Sequence, residues 1–426
     1  MTALAPAAVT RLAAAVIVTS LGTACGPRGV TVPAPPAAPT PSAAAAFADA
    51  DDVRTTAIAP GVTHAVVHDA RGPWAIHIVD IDAAVCRPAL EARKPGGPLS
   101  ARATTSRLGA GALIAVNADF FRIPGGTPVG AHVSGGVPFI GPTDWPVFAV
   151  TTAGEWRSGT ARVDGHVHAG ADTARLAQIN RTSEQFTAWR GVTHGVTLFT
   201  GRADTVPADT AARRLTLRLL HGDERAGRGI VMSNDSPAAT VVVQSGAAAL
   251  YAYGSARDWA RRRGAGDTVA WRARVVLRPV ALVDDAAAAI RRDTARSVAL
   301  DAEVDEVVGA FPELLRNGSD VLGNQAVRDD FGQRRHPRTA IGWTADGRRL
   351  FIVVVDGRQP SYSDGMTLPE MIWLFRRLGA AHAVNLDGGG STAMVIGGRL
   401  INRPSDAQGE REVGNALAVA HCMRDY

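Results

Sequence analysis

Three carboxylates and two arginines stand at the edges of apolar runs, where a folded chain gathers its chemistry. Asp356 closes the run 350–355, and Asp387 closes a second run at 383–386. Glu370 lies between them, and Arg338 and Arg358 stand before one run and after another. Paired carboxylates suit cleavage of a glycosidic bond, where one handles a proton and the other attacks or activates water. Arginine offers a phosphate a planar two-point grip. Asp387 leads into Gly388, Gly389 and Gly390, whose backbone N–H groups can add to an anion site, and Ser391 supplies a hydroxyl to bind a ligand or orient Asp387. One Asp-Gly pair usually makes only a turn. Two of them at matched run ends, with three glycines in a row, point to a ligand.

The elements that must position these groups are readable around them. The β-branched run 350–355 has the pattern of a buried parallel strand. Thr367-Leu-Pro-Glu370 has the form of a helix capping box, and Leu368, Met371, Ile372, Phe375 and Leu378 follow at helical spacing up to Gly379. Residues 383–386 read as the next strand. Strand, helix and strand predict a βαβ unit with a parallel pair. That geometry places Asp356, Asp387 and Glu370 at the rim where open sheets bind ligands. Elsewhere the chain reads as short strands: a hairpin flanking residues 69–72, a buried strand at 113–116, a hairpin around Gly397-Gly398 and a last strand at 416–420. Helices are expected at 256–263 and 284–296. The expected class is α+β, a mixed sheet with the βαβ unit near the C-terminus and many additional short strands.

At 426 residues, 46% hydrophobic and 20% charged, the chain is globular. Its net charge of +5 is almost all arginine, with Lys94 the single lysine. No basic stretch interleaves with aromatics, so nucleic acid is not an expected partner. Residues 1–25 resemble a signal peptide, with an apolar stretch at 12–21 too short to span a membrane. Cys25 follows in the manner of a lipoprotein signal, although Leu21 stands one place early for the usual box; a cleaved secretory leader is the alternative. Residues 26–50 read as a Pro/Ala-rich tether, 51–109 as an N-terminal strand region, and 110–422 as the main domain. Outside the cytoplasm Cys86 and Cys422 either pair or remain two buried thiols.

Other chemistries fit poorly. Lys94 is in no phosphate-binding loop, and no Cys/His set has zinc spacing. Ser391 lacks the second glycine and following helix of a nucleophile elbow. The sequence requires no cofactor, although Asp356 and Asp387 would suit a divalent cation such as calcium.

Taken together, the motifs resemble the phosphodiester glycosidase family. The matching pieces are residues 117–121, 128–130, 314–318, 338–342, 355–358, 365–370, 385–392 and 411–415, in family order. One departure is Ala118, where the family usually has glycine. The resemblance implies an extracytoplasmic hydrolase, secreted or anchored through lipid on Cys25, that splits a carbohydrate from a phosphodiester at the anomeric carbon. Carried onto this chain, it implies catalysis by Asp387 with Asp356 or Glu370. It implies substrate binding by Asn117, Arg338, Arg358, Asn385, Gly388, Gly389, Gly390, Ser391, Thr392 and Arg411. Two alternatives stay open, a metal-dependent phosphodiesterase and a glycan-binding surface lipoprotein without turnover.

Overall fold

The computed structural model describes residues 40–182, 189–203, 205–278 and 302–423. The leader, Cys25, most of the tether and the helix expected at 284–296 lie outside them. From Thr40 onward the described chain forms one compact unit, without a break at the boundary expected near residue 109. The fold also begins earlier than expected. Within the presumed tether, Ser42 caps a helical turn at Ala43–Ala46, and Phe47 is fully buried in the core.

The main sheet has eight strands. In chain order they are β1 (Asp52–Ala59), β2 (Val62–Asp69), β3 (Trp74–Asp82), β4 (Glu313–Arg316), β5 (Ser319–Asp320), β6 (Arg338–Trp343), β7 (Arg349–Val355) and β8 (His382–Asn385). They lie in the order β1-β2-β3-β7-β6-β8-β4-β5, and every neighbouring pair is antiparallel. This overturns the expected α+β class. The protein is mostly β, and the βαβ unit does not exist as a paired motif, because β6 inserts between β7 and β8. The helix α1 (Leu368–Arg377) still links β7 to β8, and its capping box is formed as expected, with Thr367 and Glu370 bonding each other's backbone. Both β7 and β8 run antiparallel to β6, so they point the same way and end at the same rim.

The unbroken apolar run in β7 has a different cause from the one expected. Phe351, Val353 and Val355 pack under α1, whereas Ile352 and Val354 face a second layer. That layer is a five-stranded antiparallel sheet containing Arg87–Arg93, Ile114–Asn117, Met394–Ile396, Arg399–Leu400 and Ala416–Met423. A strand covered on both faces reads as continuously hydrophobic whichever way its neighbours run. The hairpin turn between the Met394 and Arg399 strands falls on Gly397 and Gly398, both at positive φ. Cys86 and Cys422 form a disulfide that closes this second layer onto the chain's end, across a sequence separation of 336.

An eleven-stranded sheet holds most of residues 132–309 and contains a parallel pair, Asp172–Ile179 with Gly195–Thr200. The helix expected at 256–263 is present as Ala256–Arg261, buried through Trp259. Among the described residues no helix is long and apolar enough to cross a membrane.

Candidate active site

Asp387 leaves the end of β8 on a loop tied to the Asn117–Ala118 segment by two hydrogen bonds. Its N–H donates to the Ala118 carbonyl at 2.8 Å, and the Asn117 amide donates to its carbonyl at 2.6 Å. Asn117 is fully buried, and its Oδ1 accepts from the Thr339 hydroxyl at 2.7 Å and the Ala393 N–H at 3.1 Å. One asparagine thus ties the second layer, the main sheet and the glycine loop together. Ala118 needs no left-handed backbone, so the family's glycine is replaced at no conformational expense.

The Asp387 carboxylate accepts the Gly388 N–H at 2.8 Å. Desolvation pushes its pKa up to about 6, against the pull of the nearby Ser391 hydroxyl, the Gly388 N–H and the positive charges of Arg411 and Arg358. Ser391 approaches without reaching hydrogen-bond geometry, and the buried hydroxyls of Ser391 and Thr392 have no protein partner.

A second carboxylate belongs to this site. Asp119, 1% exposed, is held well above the ordinary range by burial, and the charge of Asp387 raises it further. The Gly130 N–H donates to one oxygen at 2.7 Å, and the other has no partner. A side chain at Gly309 would collide with this carboxylate, its Cβ falling 2.4 Å from it. Asn415 accepts the Asp119 N–H at 2.8 Å and is itself braced by the buried His132 ring at 3.2 Å. Arg181, donating to the Gly141 carbonyl at 2.6 Å and to that of Gly130, draws Asp119 back toward ionisation. Asp119 stands in the 117–121 segment already singled out. Its one visible signal was an acid directly after a buried strand. Nothing in the sequence marked its approach to Asp387.

Arg358 and Arg411 flank the glycine loop. Arg358 is exposed, adopts φ +58°, and its guanidinium lies so close to Gly389 that a Cβ there would meet it at 3.1 Å. It bonds the His336 Nδ1 at 3.2 Å, and burial lowers the His336 pKa so that the ring stays neutral and accepts. Arg411 is gripped by Asp406 through two hydrogen bonds of 2.8 and 3.0 Å, and a Cβ at Gly390 would fall 2.1 Å from its guanidinium. Gly389, at φ +62°, and Gly390 thus leave room for two arginines to lie against the loop.

The other expected residues are placed differently. Asp356 shares the rim but is fully buried and saturated. It accepts from Asn402 at 2.9 Å, the Tyr362 hydroxyl at 2.9 Å and the Arg403 N–H at 3.0 Å. Glu370 serves the capping box and pairs with Arg335 at 2.7 Å. Arg338, 1% exposed, donates to the carbonyls of Met366 at 2.8 Å and Phe331 at 2.6 Å, and desolvation lowers its pKa to about 10. Asn385 is buried and bonds the carbonyls of Phe311 and Leu386 at 2.8 and 2.7 Å. Among the described residues no three His, Cys, Asp or Glu side chains form a metal-holding group.

Residues 234–420 match the phosphodiester glycosidase family. Over this stretch, rather less than half of its length, the chain is similar to that family. A mouse relative, N-acetylglucosamine-1-phosphodiester alpha-N-acetylglucosaminidase, is 34% identical over 104 residues, which is 22% of this chain and 20% of that protein. The SPbeta prophage-derived protein YomE of Bacillus subtilis is 42% identical over 87 residues, 20% of this chain and 13% of its own. The chain therefore matches only a fifth or less of the length of these relatives. A solved structure from Synechocystis shares the fold with a TM-score of 0.62 at 20% identity, covering 88% of this chain and 65% of that one. Asp387, Arg358 and Arg411 lie inside the matched segment; Asn117 and Asp119 precede it.

Proposed function

We propose that this chain is an extracytoplasmic hydrolase that releases a sugar from a phosphodiester by breaking the bond between the anomeric carbon and the phosphate oxygen. The observation that carries the reading is the approach of buried Asp119 and half-buried Asp387, joined through the Asp387 N–H and the Ala118 carbonyl, beside a glycine loop flanked by Arg358 and Arg411. Two neighbouring carboxyls, both raised by burial and one of them also by the other's charge, can divide the work of acid and base. Asp387 in its ionised form attacks the anomeric carbon or takes a proton from the attacking water. Asp119 in its protonated form gives a proton to the departing oxygen. The leaving group is a phosphate monoester, already anionic, and Arg358 and Arg411 stabilise the charge it carries away. Asn117, Asn385 and Arg338 position this machinery.

The leader-like segment before Cys25 and the Cys86–Cys422 bridge support a place outside the cytoplasm, with Cys25 lipidated or removed with the leader. The saturation of Asp356 weighs against a cation held between Asp356 and Asp387. Incubating the protein with a synthetic N-acetylglucosamine 1-phosphodiester, with and without chelator, tests the proposal. Chelator-resistant release of the free sugar supports it. No release, or release only of a sugar phosphate, removes it.

A further inference from the structure

Aromatic residues make up 5% of the chain, yet four of them gather beside Asp119. Trp145 stacks on Phe311 with centroids 4.5 Å apart and planes within 14°. Phe120 meets Trp145 edge-on at 5.5 Å and Phe331 at 5.9 Å. All four rings are half-buried, and Phe120, Trp145 and Phe311 belong to none of the buried cores of the described chain. Phe331 reaches the group from the edge of the core under α1. Aromatic surface left open beside a polar site favours a ligand more than it favours the fold.

The wall is fastened to both carboxylates. Phe120 directly follows Asp119. Phe311 is two residues from Gly309, which abuts the Asp119 carboxylate, and its carbonyl is held by Asn385, two residues before Asp387. The chain thus carries the wall on the same two segments that carry the carboxylates. We propose that Phe120, Trp145, Phe311 and Phe331 form the subsite for the sugar, taking the C–H face of a hexopyranose. The polarised C–H groups on that face complement the negative face of an aromatic ring. The buried, unpartnered side-chain oxygen of Asn385 favours a hydroxyl-bearing ring over an alkyl chain, which would leave that acceptor unmatched. The inference rests on the reading of this site as one that cleaves a sugar phosphodiester.

Calorimetry on the full chain with N-acetylglucosamine 1-phosphate, methyl phosphate and octyl phosphate separates the possibilities. Trp145→Ala and Phe311→Leu should weaken the sugar phosphate by about three- to tenfold, the range expected for one aromatic contact. Trp145→Phe should largely keep it, and methyl phosphate binding should not change. Two variants guard against one failing to fold, which thermal melts would reveal. Unchanged sugar-phosphate affinity in both folded variants overturns the subsite. So does wild-type protein that ignores the sugar phosphate, or ring-dependent binding of octyl phosphate alone. Ring-dependent sugar-phosphate binding without hydrolysis of any phosphodiester would sink the proposed activity and leave this subsite standing.

Discussion

The N–H of Asp387 donates to the carbonyl of Ala118 at 2.8 Å, and that bond sets Asp387 against the residue next to Asp119. Two carboxylates 268 positions apart in the chain are thereby brought within electrostatic reach, each raised by burial, with Asp387 raising Asp119 further.

Removing either acid should therefore disable turnover while sparing the fold. Asp387→Asn and Asp119→Asn should each lower kcat by about a hundredfold or more, as loss of a catalytic acid or base does. Asp356→Asn should instead lower the melting temperature, because it weakens a saturated buried cluster. Steady-state kinetics beside thermal melts check this. Near-normal turnover in folded Asp119→Asn would take that residue out of the mechanism.

The raised pKa of Asp387 also predicts a pH signature in stability. Unfolded, this carboxyl ionises near 3.8; folded, near 6. Between those values the folded chain keeps a proton that the unfolded chain has lost, so this group's contribution falls as pH rises from about 4 to about 6 and stays lowered above. Asp387→Asn removes that burden. The variant should match wild type near pH 4 and exceed it at pH 7 by on the order of 1–2 kcal/mol, allowing for partial exposure. Denaturant melts at the two pH values measure the difference, and a variant less stable at pH 7 than at pH 4, relative to wild type, would contradict the burial argument.

Much of this was written openly in the chain. The Thr367–Glu370 capping box, the Gly397-Gly398 turn and the loop after Asp387 are local features, set by residues a few positions apart. Strand order is not local. The run at 350–355 looks parallel because it is buried on both faces, and only the three-layer packing reveals that β6 separates β7 from β8. Asp119 was passed over for the same reason: its meaning depends on Gly309, Arg181 and Asp387, none of them near it in sequence. Asp356 and Glu370 drew attention as acids at element ends, but their oxygens are already occupied by donors that sequence spacing cannot show.

The two arginines first paired by sequence should now behave differently. Arg358→Lys should keep the fold and lose activity on phosphodiesters more than on aryl glycosides, because the planar two-point grip is lost. Arg338→Lys should destabilise the protein by roughly 1–3 kcal/mol, since a lysine cannot satisfy the buried carbonyls that Arg338 serves. Comparing both variants on both substrate types, alongside melts, separates the roles.

The disulfide makes its own prediction. Bridging residues 336 apart should stabilise the fold by roughly 5 kcal/mol in the chain-entropy account. Cys86→Ser with Cys422→Ser should melt well below wild type, and reductant should lower wild type to the same level. A double variant that melts with wild type would show that the sheets hold the termini together unaided.

In the proposed reaction the bond broken lies on the sugar side of the bridging oxygen. Hydrolysis of an N-acetylglucosamine 1-phosphodiester in oxygen-18 water, read by mass spectrometry of both products, tests it directly. The label is expected at the sugar's anomeric hydroxyl and not in the phosphate. Label in the phosphate would mean attack at phosphorus, and the chain would be a phosphodiesterase instead.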